Sequence, residues 1–191
     1  MYYPATAEKS LYCILDAQCR QKSRSLILFL DLINAFNAMN HSAIFSILQL
    51  YGFPDADIAL MTRLYDHTFL FIGNYFGNGA ACFLGRGSPQ WADPSPVISN
   101  IAFNMIHVLA RACARGRTAH GLAPSGSSGY ADDASIHTDG PAVIASLQYV
   151  LHPVRSYLEW LGTKVHMKKS EIAGIDFATG EQIASNLPPT I

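Results

Sequence analysis

Three aspartates carry the chemistry open to this chain. Asp132 and Asp133 are adjacent, in Gly129-Tyr130-Ala131-Asp132-Asp133. Asp31 closes an apolar run, Leu26-Ile27-Leu28-Phe29-Leu30. Two neighbouring carboxylates at a turn repel each other unless a cation sits on them, and a divalent metal is the usual one. A third carboxylate at the end of an apolar strand completes such a site if the two strands meet. On local grounds Asp31 reads equally as an N-cap, accepting backbone N–H bonds from the turn that follows.

The elements that must position these residues are legible in outline. Ser125-Gly126-Ser127-Ser128 before the acidic pair and Ala134-Ser135-Ile136 after it predict a β-hairpin with the pair at or near its turn. Ser25 to Asp31 has the length and continuity of a central strand buried on both faces. Helical spacing predicts a helix over Ala5 to Gln21 and a short helical turn at Asn34 to Asn37. A helix from His41 to Tyr51 follows, with Ile44, Ile47, Leu48 and Tyr51 inward and Gly52-Phe53-Pro54 ending it. The next helix is capped by Asp55, with Ile58, Met61, Leu64 and Tyr65 as its stripe.

Phe69 to Ile72 and Ala80 to Leu84 predict paired strands, and Gly85 to Pro94 an irregular loop. Ser95 is expected to cap a long helix, with Pro96 in its first turn and Ile98, Ile101, Ala102, Met105 and Leu109 as its apolar face. A further helix opens after Gly140-Pro141 and ends at Gly162, with a kink or break expected at Pro153. A last strand is expected near Ile172 to Phe177, and an unstructured tail from Asn186. Helices alternating with an antiparallel strand set predict an α+β layer with helices on one face of the sheet.

Bulk properties narrow the function classes. Half of the 191 residues are hydrophobic, enough for a sizeable core in one domain. Only 14% are charged and the net charge is −1, which weighs mildly against a dedicated nucleic-acid-binding surface. Cys13, Cys19, Cys82 and Cys113 form no Cys-x-x-Cys pair, so they are expected as reduced, mostly buried thiols. The N-terminus has no basic region leading into an apolar core, and Ser95 to Ala114 carries Asn100, Asn104, His107 and Arg111. No signal peptide or membrane span is therefore expected, and the protein is expected in the nucleus or cytoplasm.

Four motifs in order resemble the palm of reverse transcriptases. Phe29-Leu30-Asp31-Leu32-x-x-Ala35-Phe36-x-x-x-x-His41 resembles the first motif, in the form found in non-LTR (LINE-like) retrotransposons. Arg86-Gly87-Ser88-Pro89-Gln90, with Ser95-Pro96 and Asn100, resembles the second. Tyr130-Ala131-Asp132-Asp133 is the hallmark of the third, and Gly162-Thr163-Lys164-Val165-His166-x-x-Lys169-Ser170-Glu171 resembles the fourth. The resemblance implies a ferredoxin-like polymerase palm: a single reverse-transcriptase domain fragment over residues 1–191, with partial fingers and no thumb.

The resemblance implies an RNA-directed DNA polymerase that adds dNTPs to a DNA primer 3′-hydroxyl on an RNA template. Two Mg²⁺ ions about 4 Å apart, for which Mn²⁺ can substitute, stabilise the attacking and leaving oxygens in such chemistry. It implies Asp31 and Asp132 as principal metal ligands, Asp133 as a third, direct or indirect, and the Leu32 carbonyl as a further ligand. It places Phe36 beneath the nucleotide sugar, where an aromatic ring excludes a 2′-hydroxyl; on spacing alone Phe36 reads as a core residue. It gives Arg86 and Gln90 contacts to template or nucleotide, and sets Lys169 near the triphosphate. His41, opening a helix, reads as structural.

Several positions depart from the family pattern. The glycine that usually follows the glutamine is Trp91, a large ring where backbone should approach the nucleotide. Asn37, Asn34 and His166 replace an aspartate, a lysine and an asparagine. The alternative on the same residues is a degenerate, inactive element copy that at most binds nucleic acid. An unrelated metal protein would instead hold Asp31 and Asp132 far apart.

Overall fold

A computed structural model of the chain describes residues 15–17, 19–66, 69–74, 77–88, 95–118, 125–130 and 133–184. Of the predicted first helix, residues 15–17 and 19–20 are helical and Gln21 lies in a turn, while residues 5–14 and 18, like the tail from Asn186, lie outside the described residues. Strand β1 (Arg24–Leu30) is followed by β2 (Leu32–Ile33), α1 (Ala35–Ala38), α2 (His41–Leu50) and α3 (Asp55–Asp66). Then come β3 (Phe69–Asn74), β4 (Gly77–Phe83), α4 (Ser95–Thr118), β5 (Ser125–Tyr130) and β6 (Asp133–Asp139). The order closes with α5 (Val143–Leu161), β7 (Lys164–Val165), β8 (Glu171–Asp176) and β9 (Gln182–Ala184).

The main sheet is antiparallel, in the order β5-β6-β1-β8-β9, with two small pairs, β2-β7 and β3-β4, beside it. β1 lies at its centre. Alternation along it sends Leu26, Leu28 and Leu30 into one core with Ala134 and Ile136 of β6 and with Ile106, Val150 and Leu158 of the helices. α4 packs on β5, and α5 packs on β6 and β1. The expected α+β arrangement, an antiparallel sheet layered with helices, is what the chain adopts.

The opposite face differs from expectation. Ser25 and Ile27 are buried there, but Phe29 is 41% exposed. β1 is thus closed on both faces only along its first half, and its end toward Asp31 lies open. At the other end Arg24 Nε donates to Asp176 Oδ2 at 2.8 Å, tying β1 to β8. This hydrogen bond holds the Asp176 carboxyl below its ordinary pKa, helped by the Ala178 N–H.

Other helix details shift from the sequence-based pattern. Tyr65 of α3 is buried, but Leu64 is 59% exposed, so the buried stripe is narrower than predicted. Tyr51 is likewise exposed, at the C-cap of α2 rather than on its inner face. Asp55 stands inside the first turn of α3 with Asp57, after Pro54, whose carbonyl accepts the first helical bonds. The face α4 buries is turned by about one residue, to Ile98, Ala102, Phe103, Ile106 and Ala110. α5 runs on through Pro153, and no break occurs. Pro inside a helix costs roughly 3 kcal/mol, and deep burial of Val150, Val154 and Leu158 on its inner face offsets that. Cys19 and Cys82 are exposed and Cys113 half-buried, contrary to the expectation of mostly buried thiols. Among the described residues, no helix is long and apolar enough to cross a membrane.

Candidate active site

The first and third motifs meet through the β1–β6 pairing. Leu30 faces Ala134 across the strands as the last pair of the register, and Asp31 and Asp133 are the residues that adjoin this pair in the chain. β5 pairs with β6 up to Tyr130↔Asp133, which leaves Ala131 and Asp132 as the two-residue connection of the hairpin. Ala131 and Asp132 lie outside the described residues. Asp133 is exposed at the start of β6.

The fourth motif wraps the other side of Asp31. The Asp31 N–H donates to Ser170 Oγ at 3.1 Å, and His166 N–H donates to Asp31 O at 2.8 Å. Lys169 Nζ stands 3.8 Å from Asp31 Oδ2, an ion pair without a hydrogen bond. Leu32 pairs with Val165 between β2 and β7, with its side chain in the core, so only its backbone is left to face a ligand.

The N-cap reading of Asp31 fails. The residue at the cap of α1 is Asn34, in a left-handed conformation with φ 49°, and it makes no side-chain capping bond. Asp31 Oδ2 is instead buried and accepts no hydrogen bond. A buried carboxylate oxygen in that condition is costly unless a cation meets it, and Lys169 stands beyond hydrogen-bond reach. A divalent ion fits this donor set: one orphaned carboxylate oxygen, a second carboxylate one strand away, and the connection that carries Asp132. Among the described residues no three His, Cys, Asp or Glu side chains converge.

The second-motif loop is docked on α1. Gly87 N–H donates to Met39 O and Ser88 N–H to Phe36 O, each at 2.7 Å. Gly87 has φ +75°, and a Cβ there would lie 2.4 Å from the Asn37 backbone. Arg86 is exposed on this loop, while Gln90 and Trp91 lie outside the described residues. Phe36 is half-buried and borders a cleft of about 660 Å³, with Pro96, Asn100, His107 and Gly129. Phe36 and the strand leading to the acidic pair therefore face one cavity. Phe36 also packs against the core, so the expected core role holds for part of its ring.

Residues that sequence patterns did not single out line the approach to the hairpin. A Cβ on Gly129 would fall 2.6 Å from His107 Nε2 and 2.7 Å from Asp133 O, so only glycine lets α4 and the hairpin approach this closely. Burial, aided by Arg111, lowers the His107 pKa. On the face of the sheet shared with Ile27, His137 Nε2 lies 3.0 Å from Ser135 Oγ and 3.2 Å from Ser128 Oγ. Burial lowers the His137 pKa as well, and raises that of Asp139 two residues on. Alternation along β6 puts Ser135 and His137 on one face; the partner strand of that hairpin was the only sequence signal for the contact.

The family model for reverse transcriptase (RNA-dependent DNA polymerase) matches residues 3–178. No curated protein matches the chain in sequence. Among solved structures, apo telomerase from Candida tropicalis truncated from its C-terminal domain superposes with a TM-score of 0.66 at 13% identity, over 95% of this chain and 40% of that one. Telomerase from Candida albicans in complex with the TWJ fragment of telomeric RNA gives 0.62 at 15% identity, over 97% of this chain and 33% of that one. At such identities these likenesses speak for the fold alone, and the chain spans between a third and two fifths of the telomerase chains. With the family match covering nearly the whole sequence, the chain belongs to the reverse transcriptase (RNA-dependent DNA polymerase) family.

Proposed function

We propose that this chain is the polymerising palm of an RNA-directed DNA polymerase of the non-LTR retrotransposon kind. It would transfer dNTPs onto the 3′-hydroxyl of a DNA primer, directed by an RNA template. The observation that carries this reading is the placement of Asp31 beside the acidic hairpin, with Oδ2 buried and without a hydrogen bond. Likeness in fold to a telomerase solved with an RNA fragment is in keeping with an RNA template. The spacing from Asp31 through Phe36 to His41 is the feature favouring the non-LTR branch.

Asp31, Asp132 and Asp133 would hold two Mg²⁺ ions, or Mn²⁺ in their place, with the Leu32 carbonyl as a further oxygen ligand. Bound there, the ions supply Lewis-acid stabilisation of the attacking and leaving oxygens. Phe36 lies under the sugar and excludes a 2′-hydroxyl, which selects dNTPs. Lys169 holds positive charge beside Asp31 and supplies a proton or a charge to the departing phosphate. Arg86 and Gln90 hold template or nucleotide through charge-assisted and amide hydrogen bonds.

Trp91, in the place of a glycine, supports a second reading: an inactive remnant that at most binds nucleic acid. Single-nucleotide primer extension on an RNA template, with Mg²⁺ or Mn²⁺, separates the two. The polymerase reading expects metal-dependent incorporation that falls about 100-fold or more in Asp31→Asn. Silence of both the wild type and Trp91→Gly would establish the remnant.

A further inference from the structure

A buried hydroxyl chain ties α3 to the second-motif loop. Tyr65 OH lies 2.8 Å from Ser88 Oγ, and Ser88 Oγ donates in turn to Ser95 Oγ at the start of α4. A serine hydroxyl has one proton. Ser88 gives its proton to Ser95, so Tyr65 must be the donor to Ser88. All three residues are buried. Beside this chain, His41 Nε2 lies 2.8 Å from Gly87 O. A carbonyl only accepts, so the proton is on Nε2. The His41 and Tyr65 rings pack edge to face with centroids 5.0 Å apart, and Phe45 closes the group at 6.0 Å from Tyr65.

These contacts reach the loop from α2 and α3, in addition to those from α1. From α1, Phe36 O and Met39 O receive the Ser88 and Gly87 N–H groups. From α2 and α3, His41 and Tyr65 grip the Gly87 carbonyl and the Ser88 hydroxyl. Gly87 sits between with no room for a side chain. The loop is thus clamped at consecutive residues, directly after Arg86 and directly against the carbonyl of Phe36.

We propose that Tyr65 and His41 are positioning residues that fix the Arg86–Ser88 loop against Phe36, so that the sugar gate and the loop move as one body. Neither residue touches the reacting atoms; both act through Gly87 and Ser88. The consequence for nucleotide selection rests on the polymerase function proposed above, whereas the clamp does not. A loose loop would let Phe36 and Arg86 drift apart, weakening nucleotide binding and discrimination against a 2′-hydroxyl with little change in the chemical step.

Tyr65→Phe tests this, because the ring contacts with His41 and Phe45 remain while Ser88 loses its donor. Amide hydrogen exchange at Gly87 and Ser88, read against core amides such as Leu28, should accelerate about tenfold over the wild type, in line with loss of one buried hydrogen bond. His41→Gln, which keeps a donor toward Gly87 O, should retain more protection than His41→Ala. In an extending enzyme, Tyr65→Phe should raise KM for dNTP by about fivefold with kcat within twofold, and ribonucleotide incorporation should rise. Unchanged exchange at Gly87 and Ser88, or acceleration no greater than at Leu28, would overturn the clamp. If the wild type extends no primer, the polymerase reading fails while exchange still decides the clamp.

Discussion

Asp31 and Ser170 are 139 positions apart in sequence, and the Asp31 N–H donates to Ser170 Oγ at 3.1 Å. This bond and the His166-to-Asp31 backbone bond make the fourth motif the wall against which Asp31 is set. Ser170→Ala leaves a buried backbone donor without its partner. Stability should fall by about 1 kcal/mol, seen as a lower Tm. Extension should fall more steeply than stability does, because Asp31 loses its fixed exit from β1.

Lys169 is mostly exposed, and its 3.8 Å pairing with Asp31 lies in water's reach. Exposed ion pairs contribute little to folding, so Lys169→Met should leave Tm within about 2 °C. The rate of incorporation should nevertheless drop tenfold or so if Lys169 serves as acid or charge stabiliser at the departing phosphate. Equal rates for Lys169→Met and the wild type would remove it from the catalytic set.

Phe36 faces the cleft shared with Gly129. Phe36→Val should lower the preference for dNTP over rNTP by about tenfold or more, a change of at least 1.4 kcal/mol in differential transition-state binding. Competition between the two nucleotides on one primer measures it. An unchanged ratio would leave Phe36 as a packing residue only.

Gly87→Ala forces a side chain onto the Asn37 backbone at a positive φ. The expected loss is about 2 kcal/mol, with the Gly87 and Ser88 amides losing protection first. Urea denaturation gives the first quantity and hydrogen exchange the second.

Burial holds both His107 and His137 below the ordinary histidine pKa. Below about pH 6.5 the unfolded chain takes up these protons while the folded chain resists them, so folding weakens as pH falls. Asp139, whose pKa burial raises, acts in the opposite sense, but only toward the carboxylate range. Tm should therefore decline between pH 7.5 and 5.5, and the decline should be smaller in His137→Gln. A pH-independent Tm over that interval would contradict the assignment of neutral, buried imidazoles.

What the sequence made legible was what local pattern encodes. Leu26 to Leu30 reads as a strand because its apolar run is unbroken, and Tyr130 to Ile136 reads as a hairpin because small and turn-forming residues precede the acidic pair. The fourth motif singles out Lys169 by its type and place in the sequence, and Lys169 Nζ stands 3.8 Å from Asp31 Oδ2. Short elements left no such trace. β2 and β7 are two residues each, too short for any periodicity, and β9 exists only through its pairing with β8. The exposure of Phe29 is not legible in the sequence, because an apolar run shows length but not which face is covered. At Pro153 the sequence records a lost hydrogen bond, whereas the burial of Val150, Val154 and Leu158 that lets the helix run on is tertiary. The Tyr65–Ser88 and His41–Gly87 contacts span 23 and 46 residues and depend on how α2, α3 and the loop pack.

In the proposed function Asp31 and the hairpin carboxylates form one divalent-metal site. Mn²⁺ titration followed by electron paramagnetic resonance tests it most directly, with the protein bound to an RNA template, a dideoxy-terminated primer and the matching dNTP. The wild type should bind Mn²⁺ in this complex, and Asp31→Asn and Asp132→Asn should each weaken that binding about tenfold or more, as for carboxylates sharing one site. Mn²⁺ binding that is indifferent to Asp31→Asn while lost in Asp132→Asn would contradict the account, because the two carboxylates would then not share a site.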